Sequence, residues 1–353
     1  MDPARIETFA AQVVGDLAAA MGSAMTSLGG KLGFYQSLAA APRTPEELAA
    51  ATGTEPRLVR EWLASQRAAG YVGFDAASGR FDLPPEHAFV LAQPDSPAFL
   101  TPAFDVTSAI WRAEDRLVES FRTGSGVGWH EHDCRLFAGT EAFYRNGYRA
   151  NLVSHWIPAL GGRGAALAAG GRAADVGCGH GASTILLAQA FPAARLVGLD
   201  PHAASIAIAR QRAAEAGVAD RIRFEVAPAS ALVELAGDGA FDLICFMDAF
   251  HDLGDPIAAA RASRAALASD GAVLLVEPFA HDAPEANVGP VARMYYAAST
   301  ALCTQNALHQ GGRDGLGAQA GFTALAARLR GGGLGRVRVV AETPFNLVIE
   351  ARP

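Results

Sequence analysis

The sequence predicts an α/β protein in which an open, doubly wound parallel sheet follows a mainly α-helical amino-terminal domain. Three observations carry this. Residues 173–181 (Ala-Ala-Asp-Val-Gly-Cys-Gly-His-Gly) read as a short buried strand and a glycine turn that opens into a helix over 182–191. Further apolar runs at 195–200, 222–226, 241–246 and 272–276 alternate with helical stretches, the pattern of parallel strands joined by crossovers. Before residue 100 the chain carries short helices and one hairpin signal instead.

The 353 residues exceed one ordinary domain, and 50% hydrophobic against 18% charged residues leaves ample material for large cores. A formal net charge of −7 argues against a general polyanion binder, which needs clustered Lys and Arg; Lys31 is the only lysine. Cys134, Cys178, Cys245 and Cys303 are scattered without metal-type spacing and read as reduced cysteines of a cytoplasmic protein. No signal-peptide core is apparent and no apolar run reaches 18 residues. The expected division is 1–96, an amino-terminal domain, 97–170, a helical interdomain segment, and 171–353, the α/β domain.

Residues 4–28 carry Phe9, Val13, Leu17, Met21 and Leu28 near helical spacing with few charges between them. Such a helix buries more than one face, either within its own subunit or against a second copy in a homodimer. From residue 32 the order is helix (32–40), helix opened by Thr44-Pro45-Glu46-Glu47, helix (55–69, with Leu58, Trp62 and Leu63 inward) and a hairpin (71–74 with 80–83). That order is a winged helix. Its charges disfavour DNA: residues 1–100 hold seven basic residues against eleven acidic ones.

The bridging segment is mostly helical and contains Gly124–Asp133 (Gly-Ser-Gly-Val-Gly-Trp-His-Glu-His-Asp), glycines followed by aromatic, imidazole and carboxylate groups. It reads either as an ordinary loop or as a lid that brings Trp129, His130 and His132 to a substrate. His130, His132 and Asp133 carry metal-ligating groups, but two histidines at i, i+2 lack a convincing third partner in sequence, so no metal is expected. Phe143, Tyr144, Tyr148 and Arg149 follow on a helix that runs to about residue 160, with the two tyrosines on one face.

In the α/β domain, Gly177, Gly179 and Gly181 form a loop that a ligand can touch directly, since no Cβ intervenes. Asp175 ends the strand before it, where ligands of open α/β sheets bind, and Asp200 ends the next strand, where an acid accepts hydrogen bonds from ribose hydroxyls. A nucleoside is implied, and the G-x-G-x-G spacing disfavours NAD, whose fingerprint is G-x-G-x-x-G. The fourth strand opens into Met247-Asp248-Ala249-Phe250-His251-Asp252-Leu253-Gly254-Asp255-Pro256 across the cleft from the glycine loop. His251 is a candidate general base with Asp252 orienting it, although a histidine capping the helix that starts near Pro256 has the same appearance.

These motifs resemble the class I S-adenosylmethionine (SAM)-dependent methyltransferases, whose first motif is an acid, an apolar residue and G-x-G-x-G. Nearly the full length, including Gly-Trp-His-Glu-His-Asp, Val-Glu-Pro-Phe and Tyr-Tyr-Ala-Ala-Ser-Thr, is similar to a mostly bacterial group that pairs a winged helix with such a domain. The resemblance implies a Rossmann-like seven-stranded sheet closed by strands at 337–341 and 345–350 after a helix at 316–329. It implies SAM as methyl donor, with Asp175, Gly177, Gly179 and Gly181 at its methionine end, Asp200 on its ribose, and Tyr148 and Asp248 as further contacts. It also implies His251 as base toward an acceptor hydroxyl, and a pocket helix over 293–309 bringing Tyr295, Tyr296, Gln305 and Asn306 to a small-molecule acceptor. The winged helix then serves dimerisation and substrate capping, with a SAM-responsive DNA-binding regulator as the rival reading. Where the family often carries an adenine-binding acid, this chain has Ala227-Pro228-Ala229-Ser230, which leaves adenine to backbone groups or Ser230.

Overall fold

The computed structural model describes residues 1–237, 239–313 and 315–353. It divides into two compact units, residues 1–111 with 134–147 and residues 112–133 with 148–353. Residues 97–170, expected as a bridge of their own, are thus shared out between the two.

In the first unit, α1 (Pro3–Lys31) starts on Asp2, whose side chain accepts from the Ala4 N–H at 3.0 Å. Most of its length lies open: Ile6, Phe9, Val13, Val14, Leu17 and Met21 are all exposed. Near its end Gly29 lets the helix run against α4 (Pro56–Ala68), because a Cβ there would stand 2.3 Å from Trp62 Cζ2. Trp62 Nε1 donates to the Met25 carbonyl at 2.9 Å. Between them come α2 (Phe34–Ala40) and α3 (Pro45–Thr52), which opens on a capping box between Thr44 and Glu47. The hairpin of β1 (Gly73–Asp75) and β2 (Arg80–Asp82) completes the winged helix over a core that includes Phe34, Tyr35, Leu48, Trp62 and Leu63. The inward face of α4 is Val59, Trp62, Leu63 and Gln66; Leu58, expected inside, is 70% exposed. Val59 lies three and four residues before that Trp-Leu pair, whereas Leu58 falls to the edge of the same face.

The second unit is built on a seven-stranded sheet of β3 (Arg172–Val176), β4 (Arg195–Asp200), β5 (Ile222–Val226), β6 (Phe241–Met247), β7 (Leu267–Pro278), β8 (Arg336–Glu342) and β9 (Asn346–Arg352). The spatial order is β5-β4-β3-β6-β7-β9-β8, parallel through β7 and antiparallel at β9 and β8. The chain steps outward from β3 to β5, then returns to β6 and steps the other way, so the topological switch lies between β3 and β6. That is where open α/β sheets bind ligands. Central strands are buried on both faces, which accounts for runs such as Leu243–Phe246 and Val273–Val276 without alternation.

Two expected helices take a different form. The segment 293–309 is a helix Gly289–Ala298, a π turn Ser299–Cys303 and a helix Thr304–His309. The helix expected at 316–329 begins only at Gly321, after Gly317 at φ +70° has turned the chain. Among the described residues no helix is long and apolar enough to cross a membrane.

Candidate active site at the sheet's switch point

The glycine loop leaves β3 and is pinned to β4 by the Gly177 and Cys178 N–H groups, which donate to the Leu199 carbonyl at 2.8 and 3.2 Å. Gly177 (φ +71°) and Gly181 (φ +78°) both need glycine: a Cβ would stand 2.7 Å from Ala249 Cβ at the first and 2.8 Å from Phe224 Cζ at the second. Gly179, at φ +50°, has open space where its Cβ would be.

Asp175 lies under this loop rather than beside a solvent-facing ligand. It is 1% exposed, and its Oδ2 accepts from Ser183 Oγ and Thr184 Oγ1, both at 2.6 Å. Its Oδ1 has no hydrogen-bond partner among the described residues. Burial pushes its pKa up to about 6 despite those two hydroxyls. Asp200 already holds two backbone groups: Oδ2 accepts from the Gly179 N–H at 3.0 Å and Oδ1 from the His202 N–H at 2.8 Å, so the carboxylate shapes the loop itself. Burial raises its pKa, and those two backbone donors oppose the rise. A carboxylate has about four acceptor positions, leaving about two for a ligand.

Across the switch, Asp248 follows β6 with φ +52°, the one non-glycine residue with positive φ among the described residues. Such a conformation costs energy and persists where surrounding contacts impose it. Those contacts are Tyr148, whose hydroxyl donates to Asp248 Oδ2 at 2.7 Å, and Asn346 Nδ2, which donates to Oδ1 at 3.0 Å. Burial pushes the pKa values of Asp248 and Tyr148 well above their ordinary ranges. Asn346 carries no sequence signal for this role, since it arrives from the start of β9.

His251 is buried with Nδ1 hydrogen-bonded to Glu277 Oε2, while Nε2 stands 3.0 Å from Asp252 Oδ1, an oxygen without a hydrogen-bond partner among the described residues. Burial opposes its charge, yet Asp252 and Glu277 hold it protonated well above the usual imidazole range. The two carboxylates thus favour the imidazolium form of His251 over a base with an open lone pair. Glu277, visible in sequence only as an acid at the end of the fifth strand, proves to be its second partner and also accepts from the Phe250 N–H at 3.0 Å. Asp252 Oδ2 further accepts from Trp129 Nε1 at 2.8 Å, and Asn306 joins the two by accepting from the Trp129 N–H at 3.3 Å and donating to the Asp252 carbonyl at 3.2 Å.

The other pocket candidates separate. Tyr295 is buried and its hydroxyl donates to the Phe345 carbonyl at 2.9 Å, a bond that fastens its helix to the sheet. Gln305 uses both ends of its amide inside the fold, accepting from Ser120 Oγ and donating to the Thr300 carbonyl. Tyr296 is 40% exposed. His132 is buried, has no hydrogen-bond partner on either ring nitrogen among the described residues, and has its pKa lowered by burial; His130 instead sits edge-on to His309, ring centroids 5.1 Å apart.

Comparison with known proteins agrees with this architecture. Residues 173–271 match the methyltransferase domain family, and residues 19–93 match the Rv2258c-like winged HTH domain family. An uncharacterised protein of Synechococcus sp. is 37% identical over 100 residues, covering 28% of this chain and 24% of that protein, so the chain spans about a quarter of that relative. An O-methyltransferase family protein from Burkholderia thailandensis superposes with a TM-score of 0.70 at 16% identity, covering 97% of this chain and 98% of the other. NcsB1, an O-methyltransferase from neocarzinostatin biosynthesis solved with SAM and 2-hydroxy-5-methyl naphthoic acid, does so with a TM-score of 0.60 at 19% identity, covering 96% and 97%. The chain therefore joins a winged-helix domain to a Rossmann-like methyltransferase domain of class I architecture.

Proposed function

We propose that the protein transfers a methyl group from SAM to the hydroxyl of a small molecule. The observation that carries this reading is the pairing at the switch point of a glycine loop, crowded at Gly177 and Gly181 and open at Gly179, with the carboxylate of Asp200, which keeps acceptor capacity beyond its two backbone donors. The residues fit the cofactor: Gly177, Gly179 and Gly181 admit its methionine end, Asp200 takes the ribose hydroxyls, and the buried, unpartnered Oδ1 of Asp175 backs the loop. Tyr148 and Asp248 border the same region. When bound, SAM supplies an already activated methyl group, which leaves the chain to orient the acceptor and accept its proton.

We assign the proton to His251. In the proposed step the acceptor hydroxyl displaces Asp252 Oδ1 from neutral His251, Nε2 takes the proton, and Glu277 at Nδ1 stabilises the imidazolium formed. The two carboxylates that raise the pKa of His251 set the condition for this step: the ring must shed its proton before the acceptor hydroxyl binds, so turnover should rise with pH. Trp129, Asn306 and Tyr296 are assigned to the acceptor side, and the relative crystallised with a hydroxynaphthoic acid makes hydroxylated aromatic acids the first acceptors to try. The exposed apolar face of α1 supports a homodimer, and the scattered free cysteines support a cytoplasmic setting. A DNA-binding role is disfavoured because Arg57 and Arg60 of α4 are already paired with Glu61 and Glu46, and Arg67 lies over the Phe74 ring. Mass spectrometry of material co-purifying with the protein, followed by incubation with SAM and a panel of hydroxylated aromatics, tests the reading. Release of S-adenosylhomocysteine with a methylated product supports it; a bound dinucleotide, or no SAM binding, overturns it.

A further inference from the structure

We propose that His130, Glu131 and His309 form a binding site for a divalent transition metal ion of the zinc type, separate from the cleft chemistry. One ligand atom from each of the three lies within 4.8 Å of the other two. Sequence spacing offered only His130, His132 and Asp133; the fold buries His132 elsewhere and brings in His309, 179 positions further on, as the missing third ligand.

The geometry suits a small tetrahedral ion. With ligand bonds of about 2.0–2.2 Å, neighbouring ligand atoms in a tetrahedron stand about 3.3–3.6 Å apart. Glu131 Oε2 and His309 Nδ1 are already 3.4 Å apart, and the His130 ring packs edge-on against His309. Glu131 is held in place by its own turn, with Oε2 accepting from the Gly128 N–H at 2.8 Å, and Arg116 binds its backbone carbonyl rather than its carboxylate. The side chains of His309 and Glu131 are about a third or more exposed, so an ion reaches them from solvent, and a fourth position remains for water. Two imidazoles and one carboxylate favour Zn²⁺, Co²⁺, Ni²⁺ or Cu²⁺ over Mg²⁺ or Ca²⁺, which prefer all-oxygen shells. The second cluster of suitable groups, His251, Asp252 and Cys303, is a poor competitor: it is buried, its histidine is committed to two carboxylates, and burial pushes the Cys303 thiol up to about 12.

Bound metal would fasten the turn Trp129–Glu131 to the end of the helix Thr304–His309. The same turn carries Trp129, which donates to Asp252, so the ion would fix one wall of the His251 site without touching it.

The test is titration of the tag-free, chelator-treated full chain with Zn²⁺ by calorimetry and with Co²⁺ by visible absorption, beside His130→Ala, His309→Ala and the milder His309→Gln. The expected result is one ion per chain, a cobalt spectrum without a thiolate charge-transfer band, and at least about tenfold weaker binding in each variant whose circular dichroism matches the parent. No stoichiometric binding, binding unchanged in the histidine variants, or a thiolate band that vanishes in Cys303→Ser would each overturn the proposal. None of these readouts depends on methyl transfer.

Discussion

Replacing Asp200 with Asn tests the cofactor assignment most directly. The substitution keeps the shape but removes the charge and turns one acceptor into a donor. In the parent, the carboxylate receives the Gly179 and His202 N–H groups at 3.0 and 2.8 Å and keeps about two acceptor positions for ribose hydroxyls. Losing a charge-assisted hydrogen bond to the sugar costs about 1.5–3 kcal/mol, which is about 10- to 150-fold in Kd. Calorimetric titration of SAM into parent, Asp200→Asn and Asp200→Ala reads this loss, with urea unfolding as the control for the loop the carboxylate also shapes. The expected outcome is weakened binding in both variants while both remain folded. A Kd within about threefold of the parent in a folded Asp200→Asn would refute the ribose assignment, whatever the fate of turnover.

Further outcomes follow from the same contacts. Because Asp175 titrates near 6 in the fold against a usual 3.8, the folded chain binds a proton between those pH values that the unfolded chain does not, so stability falls as pH rises through that window, by about 3 kcal/mol in full. Asp175→Asn should therefore be more stable than the parent at neutral pH, with the advantage fading toward pH 4; a pH-independent difference in urea unfolding would contradict this. His251→Ala leaves Asp252 and Glu277 buried without their cation and should lose about 3–5 kcal/mol of stability, together with about 10²–10⁴-fold in kcat on an accepted hydroxyl substrate. Full turnover in that variant would make alignment the main catalytic device. Gly181→Ala should lose about 1–3 kcal/mol through overpacking against Phe224 and Ala209, read by urea unfolding; an unchanged midpoint would show that Phe224 yields. Phe9→Asp combined with Leu17→Asp should convert a dimer into a 36.6 kDa monomer in light scattering, and a parent already monomeric would remove α1 as the contact.

The positions of strands and helices were legible in the chain because they follow from short-range pattern. β4 and β5 fall on the residues predicted, Thr44 and Glu47 make the cap their spacing announces, and the three loop glycines all take positive φ. Boundaries shifted where a local rule met tertiary packing: the pocket helix broke at a π turn, and Leu58 ceded its place to Val59. Composition and periodicity therefore determined the fold class and the location of the cleft.

The partnerships within that cleft were decided only in three dimensions. Glu277 on His251, Asn346 on Asp248, Trp129 on Asp252 and His309 beside Glu131 join residues 26 to 178 positions apart. Such pairs exist because β7 and β9 lie side by side beyond β6 and because the loop before residue 134 returns to the sheet's own unit. Hydrophobic periodicity states which face of each element is buried, but it leaves open which element lies beside it. The charge state of His251 depends on that adjacency, since a second buried carboxylate beside an imidazole favours the protonated ring.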